Sequence, residues 1–226
     1  MYGIGIEKVI QEVANLVGKE YIYRIDSDTT PTTKKVKETI QLFNEKPGSI
    51  LIGTDMALYY LDNTIEHVAI ASLDSQFSIP DFRIKEKVFH TILRLRSLAS
   101  HEFLIQTRYA SLPLWQHAIK GNLIDFYREE TSLRKQYQYP PERTLIKISY
   151  TGTPTLVRKE MQHLKEEFEE WDISIFPAFI EMKKGAFTMH ATLRLRKGHW
   201  PDPELHAKLR DLPLGYTINV DPENLL

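Results

Sequence analysis

The sequence predicts an α/β domain built on a parallel sheet, followed by an α+β domain of ferredoxin-like order. Three observations carry this. Helical and strand patterns alternate from Glu7 to Thr107, as in a parallel sheet covered on both faces. Tyr139-Pro140-Pro141 interrupts a helical pattern, because proline lacks the N–H and clashes with the preceding turn. Beyond it the patterns run strand, helix, strand, strand, helix, strand, which is βαββαβ. The resulting division is 1–110 for the α/β part, 111–139 for a helical connector and 140–226 for the α+β part.

In order along the chain, Gly3-Ile4-Gly5 lacks the preceding strand and the third glycine of a dinucleotide fingerprint, and reads as a turn. Val9, Ile10, Val13, Leu16 and Val17 fall at helical spacing, and Gly18 ends that helix. Tyr21 to Ile25 is a strand. Asp26 to Thr30, before Pro31, is a run of turn and capping residues that either caps the helix carrying Val36, Ile40 and Phe43 or forms a loop facing a ligand. Ser49 to Met56 reads as a buried central strand after the turn signal Pro47-Gly48. Ligands sit at the carboxyl ends of such strands, which places Gly53, Thr54 and Asp55 where a phosphate-handling loop belongs, yet Ala57-Leu58-Tyr59-Tyr60 brings no Lys, Arg or Gly to hold a phosphate. Val68 to Ala71 is a further strand, closed by Ser72-Leu73-Asp74. A helix begins around Ile79 to Arg83, with Asp81 favoured by its dipole and Phe82, Val88, Phe89, Ile92 and Leu95 facing inward. Phe103 to Thr107 is the last strand of this part.

Leu112 to Lys120 and Asn122 to Tyr137 read as helices, the second carrying Ile124, Phe126, Tyr127, Leu133 and Tyr137. Thr144 to Tyr150 alternates as a half-buried strand. Val157, Met161, Leu164, Phe168 and Trp171 form one helical stripe. Ile173 to Ile180 is a strand whose Pro177 marks an edge or bulge. Ala186 to Arg196 has period two: Thr188, His190, Thr192, Arg194 and Arg196 share one side, and Met189, Ala191, Leu193 and Leu195 the other. Pro201 to Leu212 is a short helix, and Tyr216 to Val220 closes the sheet.

Composition narrows the function classes. The 226 residues carry a net charge of −1, so nucleic-acid binding must come from a local cluster. The absence of Cys excludes disulfides and thiolate metal sites and agrees with a cytoplasmic setting, the expected location. No apolar run is long enough to span a membrane, so no membrane partner is expected. There is no GxxxxGK[ST] loop, no paired metal-ligand histidines and no Gly-x-Ser-x-Gly elbow, so neither ATP hydrolysis by this chain alone, nor a zinc site, nor a serine triad is expected. One cluster stands out. From Glu181 to His199, Lys183, Lys184, Arg194, Arg196 and Lys197 face a single acid, with Phe187 and Trp200 at the hairpin ends as candidate base-stacking platforms. Its alternative is a solvated hairpin face with gatekeeping charges beside an apolar strand.

Several motifs in order resemble one family. They are Glu7-Lys8-Val9, Arg24-x-Asp26-x-Asp28-Thr29-Thr30, Ile50-Leu51-Ile52-Gly53-Thr54-x-Met56, Pro80-Asp81-Phe82-Arg83-x-x-Glu86-x-x-Phe89, Leu104-Ile105-Gln106-Thr107, Asp125-Phe126-Tyr127-x-x-Glu130, Tyr139-Pro140-Pro141 and Val220-Asp221-Pro222-x-x-Leu225-Leu226. Together they resemble the C-terminal half of primosomal protein N′, the replication-restart DNA helicase PriA. The resemblance implies a RecA-like second helicase lobe, a helical connector and a C-terminal α+β domain associated with DNA, forked or single-stranded, and with the tail of single-strand-binding protein or other primosome proteins. It marks Gly53, Thr54 and Asp74 as vestigial nucleotide-coupling positions. The family's first lobe and cysteine-rich zinc region would precede this chain.

The departures fall where that family couples to ATP. Tyr59 and Tyr60 stand about where it has a Lys-Gly segment, and Leu93 to Ser100 is shorter than its arginine-rich segment and lacks Gly. Arg94 and Arg96, two apart on a helix, point to different sides. The expectation is therefore a DNA-binding or partner-docking protein of replication restart without autonomous ATP hydrolysis, with no catalytic residue and no cofactor of its own. ATP and Mg enter only if a first lobe completes it into the alternative, half of an active helicase. A further alternative is a protein-interaction module that docks an acidic peptide.

Overall fold

The computed structural model describes residues 5–179 and 186–226, in two units: 1–79 with 84–122, and 80–83 with 123–226. In the first unit α1 (Ile6–Val17) ends at Gly18, whose φ of 89° is open to glycine and whose N–H donates to Ala14. β1 (Ile22–Ile25), α2 (Thr33–Glu45) and β2 (Ile50–Gly53) follow, and then β3 (Ile65–Ile70), α3 (Ile84–Leu98), β4 (Ala99–Ile105) and α4 (Pro113–Lys120). α2 is capped by Thr32, which accepts from the Lys35 N–H. The capping role expected of Asp26 to Thr30 is thus displaced. Asp26 instead accepts from the N–H groups of Asp28 and Thr29, from the Thr29 hydroxyl and from Arg24, which closes a turn at the exit of β1.

All strand pairs here are parallel, β1 with β2 and β3 with β4, but they form two pairs and no ladder joins β2 to β3. β2, expected to be central and buried, therefore has one partner among the described residues, and its side chains are half-buried or exposed. The connection explains this. Residues 54–64 contain only a short 3₁₀ turn, whereas setting parallel strands side by side takes a crossover of a dozen or more residues, usually helical. Both pairs nonetheless share one cluster, in which Ile25, Val36, Ala57, Leu61, Val68 and Leu98 are buried. α3 buries Val88, Phe89 and Ile92 as its spacing predicts, and packs on α4. β4 begins directly after α3, at Ala99, because the helical stripe ends at Leu98.

The second unit holds α5 (Leu123–Gln136), β5 (Arg143–Gly152), α6 (Pro154–Glu167), β6 (Ile173–Pro177), β7 (Phe187–Arg196), α7 (Pro203–Asp211) and β8 (Tyr216–Val220). Its four strands lie in the order β6-β7-β5-β8, every pair antiparallel. One face is apolar: Ile146, Ile148, Ala191 and Leu193 pack under Val157, Met161, Leu164 and Phe168, all at most 1% exposed, with Leu205 and Leu209 of α7 beside them. Each of these side chains larger than alanine contributes roughly 1.5–3 kcal/mol. β6 is an edge strand whose last residue is Pro177; the next N–H, that of Ala178, still donates to the Thr188 carbonyl at 3.0 Å, so the proline nitrogen faces the open edge, where no ladder bond is lost. Of the apolar residues carried by the second helical pattern only Phe126 is buried, while Ile124 on α5 and Tyr137 just past its end are 73% and 61% exposed. Phe82 stacks on Tyr139 with ring centroids 5.0 Å apart.

Candidate nucleic-acid interface

Gly53 and Thr54 leave β2 in close contact with β1. The Thr54 N–H donates to the Ile25 carbonyl at 3.1 Å, and a Cβ on Gly53 would lie 2.9 Å from Ala57 Cβ and 3.0 Å from that carbonyl oxygen. The glycine therefore serves strand packing. Asp74 stands after β3 and is fully engaged: one carboxylate oxygen accepts from the Thr107 hydroxyl at 2.7 Å, the other from the Arg108 N–H at 2.8 Å. It ties the exits of β3 and β4, and among the described residues no hydrogen bond joins it to Gly53 or Thr54. Arg94 donates to the Leu61 carbonyl at 2.7 Å and lies 3.5 Å from Asp62, whereas Arg96 reaches toward Gly121. The two arginines thus diverge, as their spacing predicts. The Asp74 carboxylate and the Arg94 guanidinium are thus both held by hydrogen bonds within their own chain. Among the described residues no group of three metal-ligating side chains comes together, and no helix is long and apolar enough to cross a membrane.

The cationic cluster is built on β7 and extended by β5. Period two places Thr188, His190, Thr192, Arg194 and Arg196 on the face opposite the apolar core. Arg194 is partly held, donating to Ser174 Oγ at 3.2 Å with Asp172 at 3.8 Å. Arg196 and Lys197 are exposed, and among the described residues neither pairs with a carboxylate. The ladder then adds a residue that the sequence reading missed. Arg143 lies directly across from Arg196 and shares its face, and its guanidinium donates to the neutral Gln138 side chain at 2.6 Å. The missing signal was register: alternation along β5 shows which residues share a face with Arg143, but not which β7 residue it opposes. Lys183 and Lys184 lie outside the described residues.

The aromatic part of the expectation is corrected. Phe187 has the parity of Met189 and Ala191, so it points to the apolar face and packs against the core. Trp200 packs there too, its ring 6.3 Å from that of His206. Neither is a base-stacking platform, and what remains is a site of cations.

Inward from Arg143 the same face turns from exposed to buried. Thr188, His190 and Thr192 are 4%, 5% and 1% exposed, and Lys147 across from Thr192 is 8% exposed. His190 Nδ1 is 2.8 Å from Ser149 Oγ, and burial, helped by the nearby Lys147 charge, lowers its pKa to about 4. Burial likewise lowers that of Lys147.

The search against family models returned no match. Among curated proteins the chain is 31% identical to the replication restart protein PriA of Chlamydia pneumoniae over an alignment of 241 positions, covering 97% of this chain and 32% of that protein. It is 31% identical to PriA of Borreliella burgdorferi over 65% of this chain and 23% of the relative, and 30% identical to PriA of Bacillus subtilis over 62% and 18%. The chain thus spans less than a third of the length of the curated relatives it matches.

Proposed function

Because this chain is PriA-like along nearly its whole length, we propose that it acts in replication restart by binding DNA, without hydrolysing ATP on its own. In this reading 1–110 is a RecA-like second helicase lobe, 111–139 a connector and 140–226 a ferredoxin-like domain that carries the interface, with single-strand-binding protein or other primosome proteins as further partners. The observation that carries it is the pair Arg143 and Arg196, like charges directly opposed across the ladder and without a carboxylate among the described residues. Like charges in that relation are unfavourable unless something anionic lies between or over them. Arg194 and Lys197 adjoin them, and Lys183 and Lys184 extend the cluster in sequence. A phosphodiester backbone meets the need, with contacts that carry no base preference. The engaged Asp74 and Arg94 support the second half of the reading, since groups held by their own chain are not free to couple to nucleotide.

The test is fluorescence anisotropy with a labelled forked duplex at several salt concentrations. Replacing Arg196 and Lys197 together by Ala removes two phosphate contacts, which flattens the plot of log affinity against log salt by about 1.8, at about 0.9 per contact. An unchanged slope overturns the assignment of the patch. ATP turnover by the chain alone, with saturating DNA, overturns the claim about hydrolysis. Turnover only after addition of a PriA first lobe favours the helicase-half reading, and binding of an acidic peptide but not of DNA favours a docking module.

A further inference from the structure

The cationic face begins at the corner where α5 gives way to β5. There the Tyr139 N–H donates to the Arg134 carbonyl at 2.8 Å and the Gln138 N–H to the Lys135 carbonyl at 3.3 Å, the pair of bonds that ends a helix in a left-handed turn. The residue in the left-handed position is Gln138, with a φ of 58°. Glycine suits that position best, because a Cβ in this backbone conformation crowds the following carbonyl oxygen. Glutamine therefore closes the helix at a cost in backbone strain that glycine avoids.

Its side chain does what glycine could not. Gln138 Oε1 accepts from Arg143 Nε at 2.6 Å and Gln138 Nε2 donates to the Lys135 carbonyl at 2.9 Å, so both ends of the amide are engaged and its orientation is fixed. The bond uses Nε alone and leaves the two terminal guanidinium nitrogens, which have no hydrogen-bond partner among the described residues, for a ligand. Because the amide is neutral, Arg143 is held with its charge intact, whereas Arg194 has the Asp172 carboxylate 3.8 Å away to offset it. The corner itself is anchored. Tyr139 stacks on Phe82 with ring planes 6° apart, Pro140 is buried, and the Glu142 N–H donates to the Tyr139 carbonyl at 3.0 Å. Strained backbone persists only where its surroundings fix it, and here the strained residue is the one that holds Arg143 across from Arg196.

We propose that Gln138 is a positioning residue of the DNA interface: its side chain fixes the Arg143 guanidinium beside Arg196 before DNA arrives, so that a phosphate meets two cations already in place. This rests on the DNA-binding reading above and adds how its central pair is preorganised. Like charges opposed across a ladder repel, and an arginine free to rotate swings away from its neighbour. Held by Gln138 it stays, and binding is spared the ordering of a long, flexible side chain. A role in capping α5 alone does not account for the residue, since glycine makes that cap at least as well.

The experiment is a double-mutant cycle on the full chain, read by anisotropy with the labelled forked duplex at several salt concentrations, with circular dichroism and thermal melting to confirm folding. Gln138→Gly keeps the cap and removes only the side chain. It is expected to lower affinity about two- to tenfold, the range for ordering one long side chain on binding, with the salt slope unchanged because the Arg143 charge remains. Arg143→Ala is expected instead to flatten the slope by about 0.9, one phosphate contact. In the Arg143→Ala background Gln138→Gly is expected to have no further effect. Gln138→Glu keeps the bond but sets a carboxylate against the guanidinium, and is expected to flatten the slope by as much as Arg143→Ala does. Gln138→Asn, which tolerates the left-handed turn but is one methylene shorter, is expected to repeat the glycine result and serves if that variant does not fold. Parent-like affinity of a folded Gln138→Gly chain, or an equal loss in the Arg143→Ala background, overturns the positioning role while leaving the exposed patch standing. Absence of DNA binding by the parent chain overturns the patch and the positioning role together.

Discussion

Gly53→Ala tests whether the exit of β2 is a packed joint or an open phosphate loop. A phosphate loop needs room for a ligand to approach the backbone, and here that room is filled. The added Cβ meets Ala57 Cβ at 2.9 Å, closer than real Cβ atoms come, and the Ile25 carbonyl oxygen at 3.0 Å, close enough that the backbone must give. β1 has little freedom to retreat, since Ile25 is fully buried. If β2 moves instead, the Thr54 N–H loses its 3.1 Å bond to that same oxygen. Overpacking costs about 1–3 kcal/mol and the lost hydrogen bond about 1 kcal/mol more, so the expected loss is about 2–4 kcal/mol. Gly48→Ala is the control: nothing lies within 4 Å of its added Cβ, and only its φ of 76° opposes it, a cost of roughly 1 kcal/mol. Urea denaturation reads both as shifts in midpoint at constant slope. If Gly53→Ala is as stable as the parent, or less damaging than Gly48→Ala, the joint is not packed as described and the argument against nucleotide coupling at this strand end falls with it.

Three further outcomes are expected. Asp74→Ala should cost the first unit about 2 kcal/mol in urea denaturation, because it strands the Thr107 hydroxyl and the Arg108 N–H; a neutral result would mean the β3 and β4 exits are tied by something else. His190 titrates at about 4 in the folded protein, below its ordinary 6.5, so the unfolded chain takes up the proton first. The stability it supports is complete above pH 6.5 and is lost as pH falls toward 4, and His190→Gln should flatten that part of the stability curve; an unaltered curve would refute the assignment. Tyr216→Phe removes the hydroxyl that donates to the Glu160 carbonyl and carboxylate, and is expected to lower the thermal midpoint by an amount equivalent to about 1 kcal/mol.

The α+β part was legible in outline because its strands read clearly. β7 alternates over ten residues between an apolar core face and a polar one, and the α6 stripe from Val157 to Phe168 buries as written. The α/β part was legible element by element but not as a sheet. Periodicity locates β2 and β3, yet their pairing depends on what connects them, and the 54–64 segment offers no crossover helix. Capping was misassigned for a related reason: Asp26 to Thr30 and Thr32 are all capable residues, and which one caps α2 depends on where the backbone turns. Phe187 and Trp200 were read as stacking platforms because aromatic residues flanking cations suit both roles. Parity assigns Phe187 to the core once β7 is seen to begin there, whereas only packing decides Trp200.

By itself the sequence determined the class of each element, the faces of the amphipathic strands and helices, the kinship with PriA, and the absence of a phosphate loop within the chain, because these are local patterns of residue type and spacing. Tertiary structure alone decided that Arg143 stands against Arg196, that Asp74 and Arg94 are held by their own chain, and that the Lys147 ammonium reaches the main chain of Asn224 and Leu226. Those facts concern residues 33 to 79 positions apart, and their meeting is set by strand register and core packing, which no local pattern encodes.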